Sequence, residues 1–213
     1  MVQLSENEIF FPDPTSYHPL TGLMAYGGDL SPERIWLAYQ LGIFPWYNPG
    51  EEILWWCPDP RFVLYPDELK ISKSMRKILR HEVFTFTENQ YFEEVMRSCM
   101  QVPRKDQDGT WISEELISSF VQLHQEGKAM SVEVWKNKAL VGGFYGVVVN
   151  NVFCGESMFS KVSNASKAGF IHFVEKYKNE FELIDCQIHS EHLESLGARM
   201  IPKLAYLKIL YTK

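Results

Sequence analysis

The chain has 213 residues, of which 46% are hydrophobic and 23% are charged, and its formal net charge is −6. These proportions suit a compact chain with a real core and argue against disorder, and no apolar run is long enough to cross a bilayer. The acidic balance excludes indiscriminate binding to nucleic acid, which depends on Lys and Arg, so any such contact must be local. The N-terminus lacks the features of a secretory signal, and we expect a cytoplasmic protein.

Several familiar chemistries have no signature in the sequence. The four cysteines are scattered and never form a Cys-x-x-Cys pair, so neither a zinc site nor a disulfide framework is indicated. The sequence has no Gly-x-x-x-x-Gly-Lys phosphate loop, no Gly-x-Ser-x-Gly motif and no histidine pair at metal-binding spacing. It therefore implies no nucleotide, metal or other cofactor.

The first part of the chain is rich in turn-forming segments and predicts a small N-terminal lobe. One helix is well signalled there, with Ser31 as its N-cap, Pro32 in its first turn and Gly42 just past its end. We expect residues 1–62 to form this lobe and residues 63–213 to form a second domain.

The stretch from Ile71 to His81 predicts a helix with one basic face and one apolar face. The residues of the basic face are Lys73, Arg76, Lys77 and Arg80. A solvated surface is the common origin of such a face. In an acidic chain, this concentration of positive charge also favours contact with phosphates.

Beyond residue 82 the pattern alternates between helices and strands. In chain order we expect a strand over 84–87, a helix over 89–100, a helix after Trp111 that Ser113 caps, strands over 131–136, 140–149 and 152–159, a helix over 164–179, a strand over 183–188 and two short helices. This order predicts an α+β fold with a mixed, largely antiparallel sheet flanked by helices, and it resembles the GNAT acyltransferase fold.

Asp185 and Gln187 are polar residues on an otherwise apolar strand. On a regular strand their side chains would leave the same face about 7 Å apart, while Ile184, Cys186 and Ile188 would face the other way. A solvent-facing side of the sheet explains this alternation as well as a functional site does. If the face is buried, both groups need partners, because a buried unpaired polar group costs about 1 to 3 kcal/mol.

Glu156 lies beside Gly155 among apolar residues in the last strand of the meander, and it is a candidate functional carboxylate. In the preceding strand, Gly142, Gly143 and Gly146 indicate a bulge, a ligand lying against the sheet, or close packing.

Several tryptophans, among them Trp46 and Trp111, lie in loop-like segments. An indole there could stack on a nucleobase, which is worth about 1 to 3 kcal/mol. Packing of one lobe against the other is the more common alternative.

Seven short segments identify a protein family far more specifically by their joint order and spacing than any one of them does alone. They are Gly27 to Pro32, Gly42 to Trp46, Leu54 to Arg61, Gly109 to Ile112, Phe153 to Ser160, Asn164 to Lys167 and Leu183 to Gln187. They span nearly the whole chain, and on them the sequence resembles the leucyl/phenylalanyl-tRNA–protein transferase family.

The resemblance implies transfer of leucine or phenylalanine, and less readily methionine, from aminoacyl-tRNA to the N-terminal α-amine of proteins that begin with Arg or Lys. The product would then carry a degradation signal of the N-end rule pathway. Because the donor ester is already activated, the reaction needs no ATP and depends on alignment of an amine with an ester carbonyl. We expect a monomer that has no contact with a membrane.

The resemblance also implies roles for residues of this chain. Asp185 and Gln187, with Glu156 nearby, would orient the acceptor amine and help to remove its proton, and Trp46 and Trp111 would hold the terminal adenosine. The residues that would line the apolar pocket for the donor side chain are Phe144, Phe153, Phe173, Tyr177 and Ile184. Phe144 departs from the methionine that we expect in many relatives. The basic face of 71–81 would contact tRNA phosphates near the acceptor end.

The carboxylates Glu156 and Asp185 suggest a further hypothesis, in which an acidic site complements the positive charge of Arg or Lys on the acceptor. Two other classes of protein stay open from the residues themselves. An acyl-CoA-dependent N-acyltransferase would fit the fold, although residues 161–167 lack the Gly-rich turn that cradles pyrophosphate. A noncatalytic tRNA-binding module would have no use for the two carboxylates.

Overall fold

The computed structural model describes residues 1–17, 20–48, 50–102 and 110–212, so Gly109 of the fourth segment and Lys213 lie outside it. Within the described residues the chain forms two β-sheets. The first has the spatial order β1-β2-β4-β3, and its strands are β1 (Val2–Leu4), β2 (Leu23–Gly27), β3 (Phe44–Pro45) and β4 (Leu54–Trp56). In this sheet β1 and β2 are parallel and the other neighbours are antiparallel.

The second sheet has the spatial order β11-β5-β10-β9-β8-β7-β6. Its strands are β5 (Arg61–Leu64), β6 (Thr85–Glu88), β7 (Ala129–Lys136), β8 (Ala139–Val149), β9 (Val152–Ser160), β10 (Leu183–Gln187) and β11 (Arg199–Ile201). Only the central neighbours β9 and β10 pair in parallel, and the other neighbours in this described sheet are antiparallel.

Helices cover both faces of the second sheet. The helices of the described chain are α1 (Pro32–Gln40), α2 (Lys73–Arg80), α3 (Phe92–Gln101), α4 (Glu114–Gln125), α5 (Ala165–Tyr177), α6 (Glu191–Glu194) and α7 (Lys203–Leu210), and a short 3-10 helix spans Pro66–Glu68. One face packs on α5, which in turn contacts α2, and the other face packs on α3 and α4. Within the described ranges, no helix is both long and apolar enough to span a membrane.

The local signals of the sequence are confirmed at several helix and strand ends. The side chains of Ser31 and Ser113 accept hydrogen bonds from the third residue that follows each of them, which caps α1 and α4. Asn137 and Lys138, between β7 and β8, both have positive φ, as a two-residue type I′ hairpin turn requires.

The predicted α+β fold with a mixed, largely antiparallel sheet is confirmed, but two features were not predicted. The first sheet lies in the part of the chain for which the sequence predicts turns, because its strands contain only two to five residues. The edge strand β11 separates the two short helices near the end of the described chain. The division after residue 62 stays a proposal, since β5 spans that position.

Candidate active site

A β-bulge on β9 presents Glu156 to the centre of the site. Tyr145 pairs with Ser157 and Gly146 pairs with Gly155, so Glu156 has no partner on β8. Such a bulge redirects the side chain of the extra residue. The predicted carboxylate therefore leaves the regular alternation of its strand.

Close packing explains the neighbouring glycines. A Cβ atom at Gly146 would lie 2.3 Å from the carbonyl oxygen of Cys154, and a Cβ atom at Gly142 would lie 2.9 Å from Cβ of Ala165. Only glycine permits these approaches of strand to strand and of strand to helix. Of the alternatives left open by the sequence, a bulge and close packing account for both positions.

A second irregularity, on β10, redirects Gln187. The pairing of β10 with β5 shifts register between Asp185 and Gln187. Gln187 has a φ of 63°, and the Ile188 N–H donates to the Cys186 carbonyl oxygen at 2.8 Å. Gln187 thus lies at the centre of a γ-turn, a strained conformation for a residue that has a side chain. The prediction of a regular strand through Ile188 is wrong at this end.

Glu156 and Gln187 meet where the parallel pairing of β9 and β10 ends. Nε2 of Gln187 donates to Oε1 of Glu156 at 2.6 Å. Burial raises the pKa of Glu156 to about 8; the charge of Asp185 acts in the same direction, whereas the nearby Tyr39 hydroxyl and the hydrogen bond from Gln187 oppose it. The Glu156 carboxyl is therefore mostly protonated at neutral pH.

Asp185 is fully buried, and its carboxylate is saturated with hydrogen bonds. Arg61 donates from Nε to Oδ1 at 2.8 Å and from Nη2 to Oδ2 at 2.6 Å. The Tyr206 hydroxyl donates to Oδ2 and the Gln187 N–H donates to Oδ1, each at 2.9 Å. A carboxylate offers about four lone-pair positions, so these four donors leave none for an incoming amine.

These contacts correct the hypothesis of an acidic site built from two free carboxylates. Arg61 neutralises the charge of Asp185, and the raised pKa keeps Glu156 mostly uncharged at neutral pH. The two groups lie at the predicted place, but they do not offer a pair of negative charges to a cationic side chain.

A cavity of about 520 Å³ opens where β9 and β10 diverge. The predicted site residues that line it are Trp46, Trp111, Phe144, Phe153, Glu156, Ile184, Asp185 and Gln187. Residues from the first sheet, the loop before α4 and the two bulged strands therefore meet in one place.

The five residues predicted to form the donor pocket belong to one hydrophobic core cluster, in which four of them are aromatic. The ring of Phe173 lies 4.5 Å from that of Phe153, 5.4 Å from that of Phe144 and 5.0 Å from that of Tyr177, measured between centroids. Phe173 and Tyr177 do not line the cavity and instead support its wall from behind. The Tyr177 hydroxyl is directed away, to the Glu88 carboxylate, at 2.7 Å.

The two tryptophans predicted to hold adenosine form part of the cavity wall. Nε1 of Trp56 donates to the Trp46 carbonyl oxygen at 2.7 Å, which fixes the backbone at Trp46. Trp111 is 8% exposed and packs in the core shared by the two sheets. Their stacking on a base stays a prediction.

The basic face lies apart from the cavity. On α2, Met75 is buried, whereas Lys73, Arg76, Lys77 and Arg80 are all exposed, as predicted. None of these four side chains forms an ion pair with another residue in the described part of the chain. Their positive charge is therefore open to an external partner.

Sequence reasoning missed the residues that hold Asp185. In the sequence, Arg61 stands out only as the end of the segment Leu54 to Arg61, and Tyr206 has no distinguishing pattern. The signal for Arg61 was its place at the start of the apolar strand Arg61–Leu64, because a buried cation requires a carboxylate partner. The cavity is also lined by Phe170, Met158, His189 and His192, which the sequence did not single out.

Known proteins match this chain over nearly its whole length. The family model described as leucyl/phenylalanyl-tRNA protein transferase matches residues 63–211, and the model of its N-terminal domain matches residues 28–59. A leucyl/phenylalanyl-tRNA–protein transferase of Flavobacterium johnsoniae is 55% identical to this chain, over 97% of each protein. One of Christiangramia forsetii is 55% identical over 94% of this chain and 95% of its own.

A GCN5-related N-acetyltransferase from Kribbella flavida is a looser structural neighbour, with 8% identity and a TM-score of 0.39 over 79% of this chain and 59% of that chain. The sequence matches place the chain among the aminoacyltransferases. It belongs to the leucyl/phenylalanyl-tRNA–protein transferase family.

Proposed function

We propose that this protein transfers leucine or phenylalanine, and less readily methionine, from aminoacyl-tRNA to the α-amine of proteins that begin with Arg or Lys. Its products enter degradation by the N-end rule pathway in the cytoplasm, and the protein acts as a monomer. The observation that carries the proposal is that one cavity joins a tryptophan wall, an aromatic pocket and the Glu156–Gln187 pair.

The donor side of the cavity suits an amino acid that is esterified to adenosine. Trp46 and Trp111 hold the base, and Phe144, Phe153 and Ile184 contact the side chain of the amino acid. Each buried methylene contributes about 0.8 kcal/mol, so the pocket favours large apolar side chains but distinguishes loosely among them.

The acceptor side works mainly by orientation. A free α-amine has a pKa of about 7.7 to 8.0, so a neutral fraction is present near pH 7 and a weak proton acceptor suffices. The Gln187 amide nitrogen is engaged by Glu156, which leaves the amide oxygen to accept a hydrogen bond from the amine. Asp185, whose lone pairs are filled, holds the backbone of Gln187 and does not take the proton. As the amine attacks the ester carbon, the bond to the ribose oxygen of the tRNA breaks, and that oxygen leaves with the proton that the amine loses.

The direct test follows labelled leucine from Leu-tRNA to two peptides that differ only in an N-terminal Arg or Ala, without ATP or CoA. We expect transfer to the Arg peptide alone. Dependence on added CoA, or equal use of both peptides, would contradict the proposal. Binding of tRNA without transfer to either peptide would favour the binding module.

Reversing the charge of α2 should weaken donor binding without changing donor choice. Replacing Arg76 and Lys77 with glutamate is expected to raise the KM for Leu-tRNA and Phe-tRNA by the same factor. The binding constant for tRNA should also fall less steeply with salt. The slope of its logarithm against log salt should decrease in magnitude by about one unit for each phosphate that the protein no longer binds. Lys136→Glu, an exposed change on β7 outside the cavity, is the control. An unchanged salt slope in the double variant would remove α2 from the tRNA interface.

Phe144 should set the ranking of donors. Its ring makes close contacts with Phe153, Phe170 and Phe173, which stiffen the wall of the pocket. Methionine is more flexible, so Phe144→Met is expected to raise the ratio of kcat/KM for Phe-tRNA over Leu-tRNA, by up to about tenfold. Phe92→Met, on α3 in the other core cluster, controls for loss of packing and should leave this ratio unchanged.

A further inference from the structure

We propose that Arg61 and Tyr206 are positioning residues for the transfer reaction, and that they act by holding Asp185 so that it keeps the turn at Gln187 in the cavity. The proposal rests on the proposed function and goes beyond it, because neither residue reaches the cavity itself. Their effect on the reaction would pass through two intervening residues, Asp185 and Gln187.

The turn at Gln187 needs an external restraint. A residue with a side chain and a φ of 63° occupies a strained region, which persists only when its surroundings hold it there. Oδ1 of Asp185 accepts the Gln187 N–H at 2.9 Å, two residues along the chain, and this contact fixes the turn. In this conformation the Gln187 side chain reaches Glu156 and donates a hydrogen bond to it.

Asp185 is in turn fixed by groups that come from distant parts of the chain. The guanidinium of Arg61 grips both carboxylate oxygens, and the hydroxyl of Tyr206 on α7 binds Oδ2. A planar guanidinium can bind two oxygens side by side, which an ammonium group cannot do. The orientation of the carboxylate, and with it the turn, therefore depends on Arg61.

The placement of this ion pair indicates that it positions the Gln187 turn rather than stabilising the fold. A fully buried ion pair is a weak source of net stability, because desolvation offsets the attraction between the charges. Arg61 is enclosed by the rings of Phe44 and Tyr206, with its central carbon 4.8 and 4.6 Å from the ring centroids. Phe44 lies on the cavity wall beside the Trp46 segment, so Arg61 connects the proposed donor wall to the turn that presents Gln187.

The test compares Arg61→Lys and Tyr206→Phe with a matched control, Arg34→Lys. Arg34 is also fully buried and paired, to Asp29 at 3.1 Å, but it lies outside the cavity lining. We would measure kcat and KM for aminoacyl-tRNA per folded molecule, together with thermal stability. A crystal structure of each variant would report the φ of Gln187 and its contact with Glu156.

For Arg61→Lys we expect kcat to fall about tenfold to a hundredfold, since displacement of about 1 Å at a reacting group has effects of this size. We expect a smaller fall for Tyr206→Phe, a KM within about twofold in both, and a shifted Gln187 turn. Arg34→Lys should lose stability but keep its kcat. The proposal is overturned if both variants lose only stability, or if Gln187 keeps its turn.

Two further outcomes are informative. If Arg61→Lys does not fold, Tyr206→Phe decides the matter, because it removes a single hydroxyl group. If the wild-type protein transfers nothing, the proposed function fails, and the position of Gln187 in the variant structures still tests the positioning role.

Discussion

Replacing Asp185 with asparagine is expected to lower the free energy of unfolding by about 3 to 5 kcal/mol. The carboxylate is fully buried and is the ion-pair partner of Arg61, which is itself 1% exposed. The variant would leave a buried guanidinium without a counter-charge. Burial acts to lower the pKa of Arg61, and the Asp185 charge outweighs it and holds that pKa well above its ordinary value. Loss of transfer in this variant would therefore reflect unfolding as well as chemistry.

Chemical denaturation would measure this effect, with Asp29→Asn as the control. Asp29 also pairs with a buried arginine but is partly exposed, and its removal should cost less.

A second comparison separates stability from function. Arg61→Met combined with Asp185→Leu removes both charges and should regain much of the stability, because apolar pairs replace buried ion pairs at little cost. It should not regain transfer, since nothing then holds the Gln187 turn. A loss below 1 kcal/mol for Asp185→Asn would contradict the ion-pair description.

Replacing Glu156 with glutamine is expected to remove a pH dependence from stability. The folded protein holds the proton of Glu156 up to about pH 8, whereas the ordinary value is 4.5. Between these values the folded state binds a proton that the unfolded chain has released. The wild-type protein should therefore lose stability relative to Glu156→Gln as pH rises from about 4.5 to about 8, by at most about 1.4 kcal/mol per pH unit.

Denaturation curves at several values between pH 5 and pH 9 would measure this difference. It should grow up to about pH 8 and then level off, and parallel curves for the two proteins would show that Glu156 ionises normally. Because glutamine resembles the protonated carboxyl, transfer at pH 7 should stay within about tenfold of the wild type. For the same reason, the preference for Arg over Ala at the acceptor N-terminus should persist. Loss of that preference in Glu156→Gln would restore the hypothesis that its negative charge recognises the acceptor.

Local patterns of the sequence predicted most of the second sheet and its helices. Helix caps such as Ser31 and Ser113 act within three residues, and the turn at Asn137 and Lys138 requires only the two residues that form it. These signals are local, so they can be read from one sequence. The strands of the first sheet contain too few residues to show periodicity, and their pairing depends on contacts between separate segments.

The resemblance to the family placed the candidate site, and the structure added its geometry. Asp185, Gln187 and Glu156 were found from their positions on apolar strands and from the family pattern. Their environment could not be predicted, because Arg61 lies 124 positions before Asp185 in the sequence. The alternation rule also failed at Gln187, where a bulge and a γ-turn replace the regular strand. Such departures from local rules are common at functional sites, where other contacts stabilise the strain.

The hydrophobic core also determines how the two sheets respond to heat or denaturant. One core cluster runs without a break from Trp55 and Tyr39 in the first part of the chain to Tyr145 and Tyr206 in the second. The face of the large sheet that carries α5 has a core of its own, but the opposite face is completed by residues of the small lobe. We therefore expect the two parts to unfold as one cooperative unit. A fragment that begins near residue 62 would expose apolar surface and would lack both Phe44 and Arg61, so we do not expect the proposed lobe boundary to separate two independently folding units.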